Sequence, residues 1–474
     1  MRINQILILI NKLFSFLILA IASALLVIAC SSNTQLRNDE VIKTTPKPNV
    51  LQLWWDKGYN TEEDEALKKL VRGWEEKTGN QVKINFYTLD KRSAKPQRSL
   101  QSGQVPDVFM SFKAESTLNP KLAWDGQLVD VTDVIEPVQD MYEPKTLATA
   151  YYYNNAEQKQ AYYAVPIHKA ALHLHYWKDL VEKTGRTAAD IPKDWDGFWQ
   201  FWLDVAADLK SKNQQAIFPI GLPMSEEAGD TYQAFEHVLE AYDVKLVDES
   251  GNLLVDDSQV RQGIIQCLDW YTQFYLQGYT PQDAVDWNNA ANNREFLNRE
   301  ILTTTNATLS IPAALRQDSN TYQHQLGIVE LPNKPNGKPM NHIFLVEQAV
   351  IFEDAAHPQL AKDFLAYIIQ PEVINVFLKE SGRHSPAHTS VYQDPYWTNP
   401  EDPHTSAVTK TLTESKIRPI YSSNSPAYSI VLKENIWGQS LEKILLNNIS
   451  PEQAADEAIA RIKEIFQEWE STKY

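Results

Sequence analysis

Three histidines, His168, His173 and His175, stand close enough along the chain to share a site. In an extended strand His173 and His175 point to one face and His168 to the other. Two same-face imidazoles are an incomplete ligand set, so no metal is expected and half-exposed strand histidines account for them. Carboxylate pairs such as Asp130/Asp133 and Asp256/Asp257 are the other acid–base candidates, and a solvated acidic surface explains them. Motifs with a chemical mechanism are missing. There is no G-x-x-x-x-G-K-[ST] and no G-x-G-x-x-G to cradle phosphates, and no H-E-x-x-H, C-x-x-C or G-x-S-x-G. The residues therefore nominate no catalytic group and no cofactor.

Composition excludes wholesale disorder, collagen-like repeats and a polytopic membrane protein. The 474 residues are 43% hydrophobic and 22% charged, as in an ordinary globular chain of two to four domains. Lys+Arg 44 against Asp+Glu 61 leaves −17, which argues against a nucleic-acid surface. Thirteen Trp and 21 Tyr must be buried or must bind something. Arg2 and Lys12 precede a charge-free run from Leu13 to Ala29, and Val27-Ile28-Ala29-Cys30 resembles a bacterial lipobox. Residues 1–29 are expected to be a removed lipoprotein signal, Cys30 the acylated first residue, and 30–49 a polar tether containing Pro46 and Pro48. An uncleaved spanning helix is the alternative, and the apolar run is at the lower limit for one. Cys267 lies in a helical pattern and reads as a small buried residue.

The positioning elements follow from periodicity. Val50 to Trp55 reads as a buried strand. Thr61 to Thr78 reads as a helix, with Leu67, Leu70, Val71 and Trp74 on one face and Gly79 just past its end. Val82, Ile84 and Phe86 alternate as a second strand. This β-α-β opening favours a parallel sheet covered by helices. Further along, Val105 to Met110 is a turn and strand, Tyr162 to Tyr176 is extended, and Asp194 to Ser211 is a helix. The stripe of Trp195, Phe198, Trp199 and Trp202 on that helix is packing rather than ligand contact. Ile343 to Phe352 is strand-like, a helix follows from Pro358 to Ile369, residues 393–404 form a connector, and Ser450 caps a last helix.

Four segments carry a family resemblance: Leu53-Trp54-Trp55-Asp56-Lys57-Gly58-Tyr59-Asn60 with Glu76-Lys77-Thr78-Gly79; Gly103-Gln104-Val105-Pro106-Asp107-Val108 with Trp124-Asp125-Gly126-Gln127-Leu128; Ala164-Val165-Pro166-Ile167 through Tyr176-Trp177-Lys178-Asp179-Leu180 with Ile191-Pro192-Lys193-Asp194-Trp195; and Glu295-Phe296-Leu297-Asn298-Arg299-Glu300 with Gly327-Ile328-Val329-Glu330-Leu331-Pro332. In order and spacing the chain resembles the extracellular solute-binding proteins of carbohydrate ABC transporters. The resemblance implies an α/β, two-lobed periplasmic-binding-protein fold of the Venus-flytrap type, with hinge strands crossing between lobes. It places residues 50–167 and 348–392 in one lobe and 168–347 and 393–474 in the other. It implies a lipid-anchored, exported monomer that captures a sugar between its lobes and delivers it to permease subunits with their ATPase.

Carried over residue by residue, the resemblance puts Asp56, Lys57, Ser111, Phe112, Lys113, His168, Lys169 and Asn306 at the ligand. Ser111 or its neighbour and the region of Leu309 depart from the family's stacking tryptophans, and Tyr428 stands near a third such position. Trp287 offers a ring from another direction. A long α-glucan is therefore not the expected ligand, whereas a small glycoside or disaccharide is. Glu347 is either a strand-edge charge or a ligand carboxylate. A sensor or adhesion lipoprotein of the same fold is the alternative, with a secreted glycoside hydrolase behind it because no carboxylate pair is nominated.

Overall fold

Leu51, Leu53 and Trp55 alternate into the interior from one face of the first strand, Val50–Asp56 (β1). The structure, a computed structural model, describes residues 50–87, 102–212 and 217–471. The expected signal, Cys30 and the tether lie outside the described residues. Helix Thr61–Thr78 (α1) starts where the Asn60 side chain accepts the Glu63 N–H at 3.2 Å. It buries Leu67, Leu70, Val71 and Trp74 and stops at Gly79, whose φ of 75° is the left-handed conformation that glycine adopts without strain. The chain returns as Gln81–Tyr87 (β2), parallel to β1, so the β-α-β opening stands.

Val108–Met110 (β3) lies on the other side of β1, again parallel. Tyr151–Asn154 (β4) and Lys159–Tyr162 (β5) make a separate hairpin. The extended stretch then divides into Val165–Ala171 (β6) and His173–Trp177 (β7). Phe218–Gly221 (β8), Ile301–Asn306 (β9) and Leu326–Val329 (β10) join β7 in a second sheet, ordered β10-β7-β9-β8. His342–Val350 (β11), Ser385–Pro386 (β12) and Ile417–Pro419 (β13) return to the first sheet. Its order is β12-β6-β11-β3-β1-β2, with β13 pairing with β11.

Two large apolar cores show how the chain crosses. Val165 and Ile167 of β6 belong to the core of β1 and α1, whereas Ala170 and then Leu172 and Leu174 belong to the core of the second sheet. Along β11 the change runs the other way: Ile343 and Leu345 pack with the second core, Ala349 and then Ile351, just past the strand, with the first. Strands β6 and β11 pair antiparallel through this change, with an irregularity between Glu347 and Gln348. These are the crossing strands of a two-lobed fold. Trp397, expected with the second lobe, packs instead in the first core.

Helix Trp195–Ser211 (α2) begins one residue after its Asp194 cap, and Trp195, Phe198, Trp199 and Trp202 are buried together. Helices Gly229–Ala241 (α3) and Ser258–Leu276 (α4) complete that core, with Cys267 fully buried. The last helix, Pro451–Ser471 (α5), starts at Ser450, whose hydroxyl accepts the Gln453 N–H at 3.2 Å. No helix among the described residues is long and apolar enough to cross a membrane.

Candidate functional site

A cavity of about 370 Å³ opens where β1 ends. β1 delivers Asp56 at its last position, and the chain turns sharply through Lys57-Gly58-Tyr59. Two carboxylates of α1 hold that turn: Asp64 accepts the Gly58 N–H at 3.0 Å, and Glu63 accepts the Tyr59 N–H at 3.0 Å. A side chain at residue 58 would place its Cβ 2.8 Å from the Glu63 Cβ and 2.9 Å from the Asn60 carbonyl, so the close approach requires glycine. Glu63 is itself buried and binds the Arg383 guanidinium at 3.1 and 3.2 Å. Arg383 thereby reaches the cavity wall beside Asp56.

Asn288, Asn289, Asn293, Asn306, Thr308, Ser310 and Asp230 face these groups. Asn306, at the end of β9, donates to the Ser310 hydroxyl at 3.1 Å and accepts the Thr308 N–H at 2.9 Å, while Asn293 donates to Ser310 at 3.0 Å. This network fixes which way each amide presents its donor and acceptor. Phe112 contributes a half-buried ring to the wall.

Lys113 joins the two halves of the chain. Its backbone has φ 73°, an uncommon conformation for a residue with a side chain and one that clusters at functional positions. Its Nζ donates to Asp230 at 2.7 Å and to Asn289 Oδ1 at 2.8 Å, and it lies 5.1 Å from the centre of the Phe112 ring. Gly229 clears the path: a Cβ there would sit 2.6 Å from the Lys113 Nζ. Beyond Lys113 lies a second cavity of about 520 Å³, sharing Phe112 and Asn289 with the first.

Burial pushes the Asp56 carboxyl up to about 7, with Arg383 opposing the shift and Glu63 and Glu347 adding to it. The folded chain therefore holds a proton that the unfolded chain releases. This group alone makes stability fall as pH rises between 3.8 and about 7.

Of the residues expected at the ligand, Asp56, Lys57, Phe112 and Asn306 line the cavity. Lys57 is half-exposed and ion-paired with Asp64. Lys113 acts between the cavities. Ser111 is fully buried. Lys169 is buried with its Nζ 3.5 Å from Glu143, away from the cavity, and burial lowers its pKa against the pull of that carboxylate. His168 and Glu347 are buried against each other and against His384. Burial alone would raise the Glu347 pKa, but the neighbouring imidazoles hold it below the usual carboxylate range, while burial pushes His384 down to about 4.

Two expected ring platforms are corrected. Trp287 and Tyr428 sit inside the second core at 2% and 0% exposure, and the Tyr428 hydroxyl is spent on Glu236. A large ring among helices is drawn to the core because burial there gains more than one solvent-facing contact. Tyr59, Asp230, Asn288, Asn289, Asn293 and Arg383 were missed. The amide-rich run Asn288-Asn289-Ala290-Ala291-Asn292-Asn293 was a usable signal, and Tyr59 stood inside a segment already singled out. Nothing local marked Arg383.

The arrangement defines a two-lobed binding protein: crossing strands, and a polar cavity walled by both halves of the chain. The profile of the bacterial extracellular solute-binding proteins matches residues 69–405, and the chain belongs to that family. No curated protein sequence matches it. An ABC-transporter solute-binding protein of Thermotoga lettingae, bound with α-D-tagatose, superposes with TM-score 0.72 at 19% identity, covering 88% of this chain and 99% of that one. Maltose-bound MalE3 of T. maritima gives TM-score 0.70 at 18% identity, covering 88% and 100%. An Arthrobacter chlorophenolicus sugar transporter with bound laminaribiose gives 0.69 at 14%, covering 88% and 99%. At these identities the likeness is one of fold.

Proposed function

We propose that the protein captures a small glycoside or disaccharide in the 370 Å³ cavity and delivers it to the permease of an ABC importer. The observation that carries this reading is the cavity wall. Ionised carboxylates accept from sugar hydroxyls, amides both donate and accept, Lys57 and Arg383 donate, and the Phe112 ring suits an apolar C–H face. The volume lies at the small end for ligand sites, which about 300–1,000 Å³ spans, and so favours a short sugar. The ligands of the three structural relatives are of this size class. Residues 50–167 with 348–392 and 168–347 with 393–474 are the proposed lobes, except that the stretch around Trp397 goes with the first core. They close by hinge motion at β6 and β11, with Lys113 as a contact of the closed form.

A thermal-shift screen of mono-, di- and trisaccharides tests the reading, since a ligand that binds only the native state raises the melting temperature. A short sugar is expected to do so, and to shrink the radius of gyration in solution scattering. If no carbohydrate stabilises the protein, sugar capture is abandoned. With that sugar in hand, Asp56→Ala is expected to cost about 1.5–3 kcal/mol of affinity by calorimetry. Because the ionised form accepts hydroxyls and its pKa is about 7, wild-type affinity is expected to fall from pH 8 to pH 6. A flat profile together with intact Asp56→Ala binding would remove this carboxylate from the site.

Anchoring through lipid on Cys30 belongs to the same proposal, with the mature protein held outside the cytoplasm as a monomer. Cys30→Ala is expected to abolish acyl labelling and release the protein from membranes. Continued membrane association without label would favour an uncleaved helix.

A further inference from the structure

His168, Glu347 and His384 come from three separate parts of the chain. His168 lies in β6, Glu347 opposite it in β11, and His384 immediately before β12, which pairs with β6. All three are at most 3% exposed. His168 Nδ1 is 3.0 Å from one Glu347 oxygen and His384 Nε2 is 3.3 Å from the other. Those distances are short enough for hydrogen bonds, but His168 Nδ1, Glu347 Oε1 and His384 Nε2 are left without an aligned partner. One ligand atom from each of three buried side chains therefore lies within 4.8 Å of the others, and no hydrogen bond of good geometry satisfies these three atoms. Buried polar groups are normally satisfied, so such a convergence asks for something at its centre.

We propose that His168, Glu347 and His384 bind a divalent transition-metal ion, with zinc the best match. Two imidazoles and one carboxylate are a known zinc set, and they leave a fourth position for water. Zinc–ligand bonds of about 2.0–2.1 Å in a tetrahedron put neighbouring ligand atoms about 3.3 Å apart. Each histidine already has that span to one Glu347 oxygen, His168 at 3.0 Å to one and His384 at 3.3 Å to the other. A single atom from each residue lies within 4.8 Å of the others, so a small side-chain adjustment brings all three onto one ion. Calcium and magnesium prefer all-oxygen shells and do not suit a site with two nitrogens. The two rings are stacked, 3.8 Å apart and 13° from parallel, so they must fan open slightly for both lone pairs to meet one ion.

None of the three side chains lines the 370 Å³ cavity, although the neighbouring Arg383 does. The ion would sit behind the cavity wall and fasten β6 to β11 at the point where the chain changes cores. His173 and His175, expected to be half-exposed strand residues, are buried and stand outside this cluster. His173 is occupied by the Ala171 carbonyl and the Thr411 hydroxyl at 2.7 and 2.8 Å.

The test uses the full exported chain without a histidine tag, stripped with chelator and titrated with Co²⁺ and then Zn²⁺. One equivalent of Co²⁺ is expected, with the intense visible bands of a tetrahedral site, and Zn²⁺ is expected to displace it. Outer-shell changes at zinc sites already cost 10–100-fold, so Glu347→Gln and His384→Gln are each expected to weaken binding by at least about 100-fold. His173→Gln should leave binding unchanged. Zinc-edge X-ray absorption on the wild type keeps the proposal falsifiable if those variants do not fold, and it should report two imidazoles. Substoichiometric uptake, a spectrum without imidazole scattering, or undiminished affinity in folded Glu347→Gln and His384→Gln would overturn it. Metal displaced by a sugar that still binds Glu347→Gln would place the ion in the cleft and also overturn it.

Discussion

Arg383→Met is expected to lower the unfolding free energy by about 3–5 kcal/mol, the cost of leaving one partner of a buried ion pair uncompensated. Arg383 and Glu63 are 10% and 9% exposed at the side chain, and the guanidinium meets both Glu63 oxygens. Glu63 also holds the Tyr59 N–H, so the loss is expected to loosen the turn that carries Asp56 and Lys57. The Asp56 carboxyl should respond as well. Burial raises its pKa and Arg383 opposes that rise, so removing the cation should move it above 7 and protonate it at neutral pH. Urea titration reads the first effect, and the pH dependence of sugar affinity reads the second. The double variant Glu63→Gln/Arg383→Met should recover much of the stability, because no buried charge is then left alone. A single-variant loss below about 1 kcal/mol, the range of exposed pairs, would mean that water already shields this pair.

Trp202→Ala should destabilise by about 3–5 kcal/mol through the cavity it opens in the second core. Trp202 is 0% exposed and packs against Tyr176, Phe198 and Phe201 at ring separations of 5.1, 5.8 and 5.0 Å. It touches no part of the 370 Å³ cavity, so at temperatures where the variant is folded its sugar affinity should match the wild type. Phe112→Ala should behave in the opposite way. The ring is half-buried at the cavity, beneath Lys113 at 5.1 Å and Arg383 at 5.2 Å. Its removal should cost about 1 kcal/mol or more of affinity, with little change in the ligand-free melting temperature. If Trp202→Ala weakens binding and Phe112→Ala does not, the division between core ring and platform ring is reversed.

The elements near the cleft were legible because their signals are local. The β1-α1-β2 unit follows from one alternating strand, one amphipathic helix with its Asn60 cap, and Gly79 at the end. Asp56 and Lys57 were placed by the family resemblance, and their position at the end of a parallel strand agrees with the crevice where such sheets bind ligands. The burial of Trp195, Trp199 and Trp202 follows from their helical spacing. Trp287 and Tyr428 were misplaced because a ring near a functional segment in sequence says nothing about the direction in which it projects.

The sequence by itself determined the family, the crossing-strand architecture, the acidic character and the Asp56-Lys57 end of the cleft. The charge is a sum over the whole chain, and the family, its two lobes and the Asp56-Lys57 site come from a resemblance carried by four segments in order. The individual strands and helices rest instead on residues a few positions apart, where backbone periodicity sets which side chains share a face. Tertiary structure alone decided the rest of the wall. Asp230, Asn293 and Arg383 meet Asp56 across more than 170 residues of chain, and His384 meets Glu347 and His168 only because β12, β6 and β11 are neighbours. Such encounters depend on which strands pair and in what register, a choice made by burying the two cores as a whole. No single segment records it.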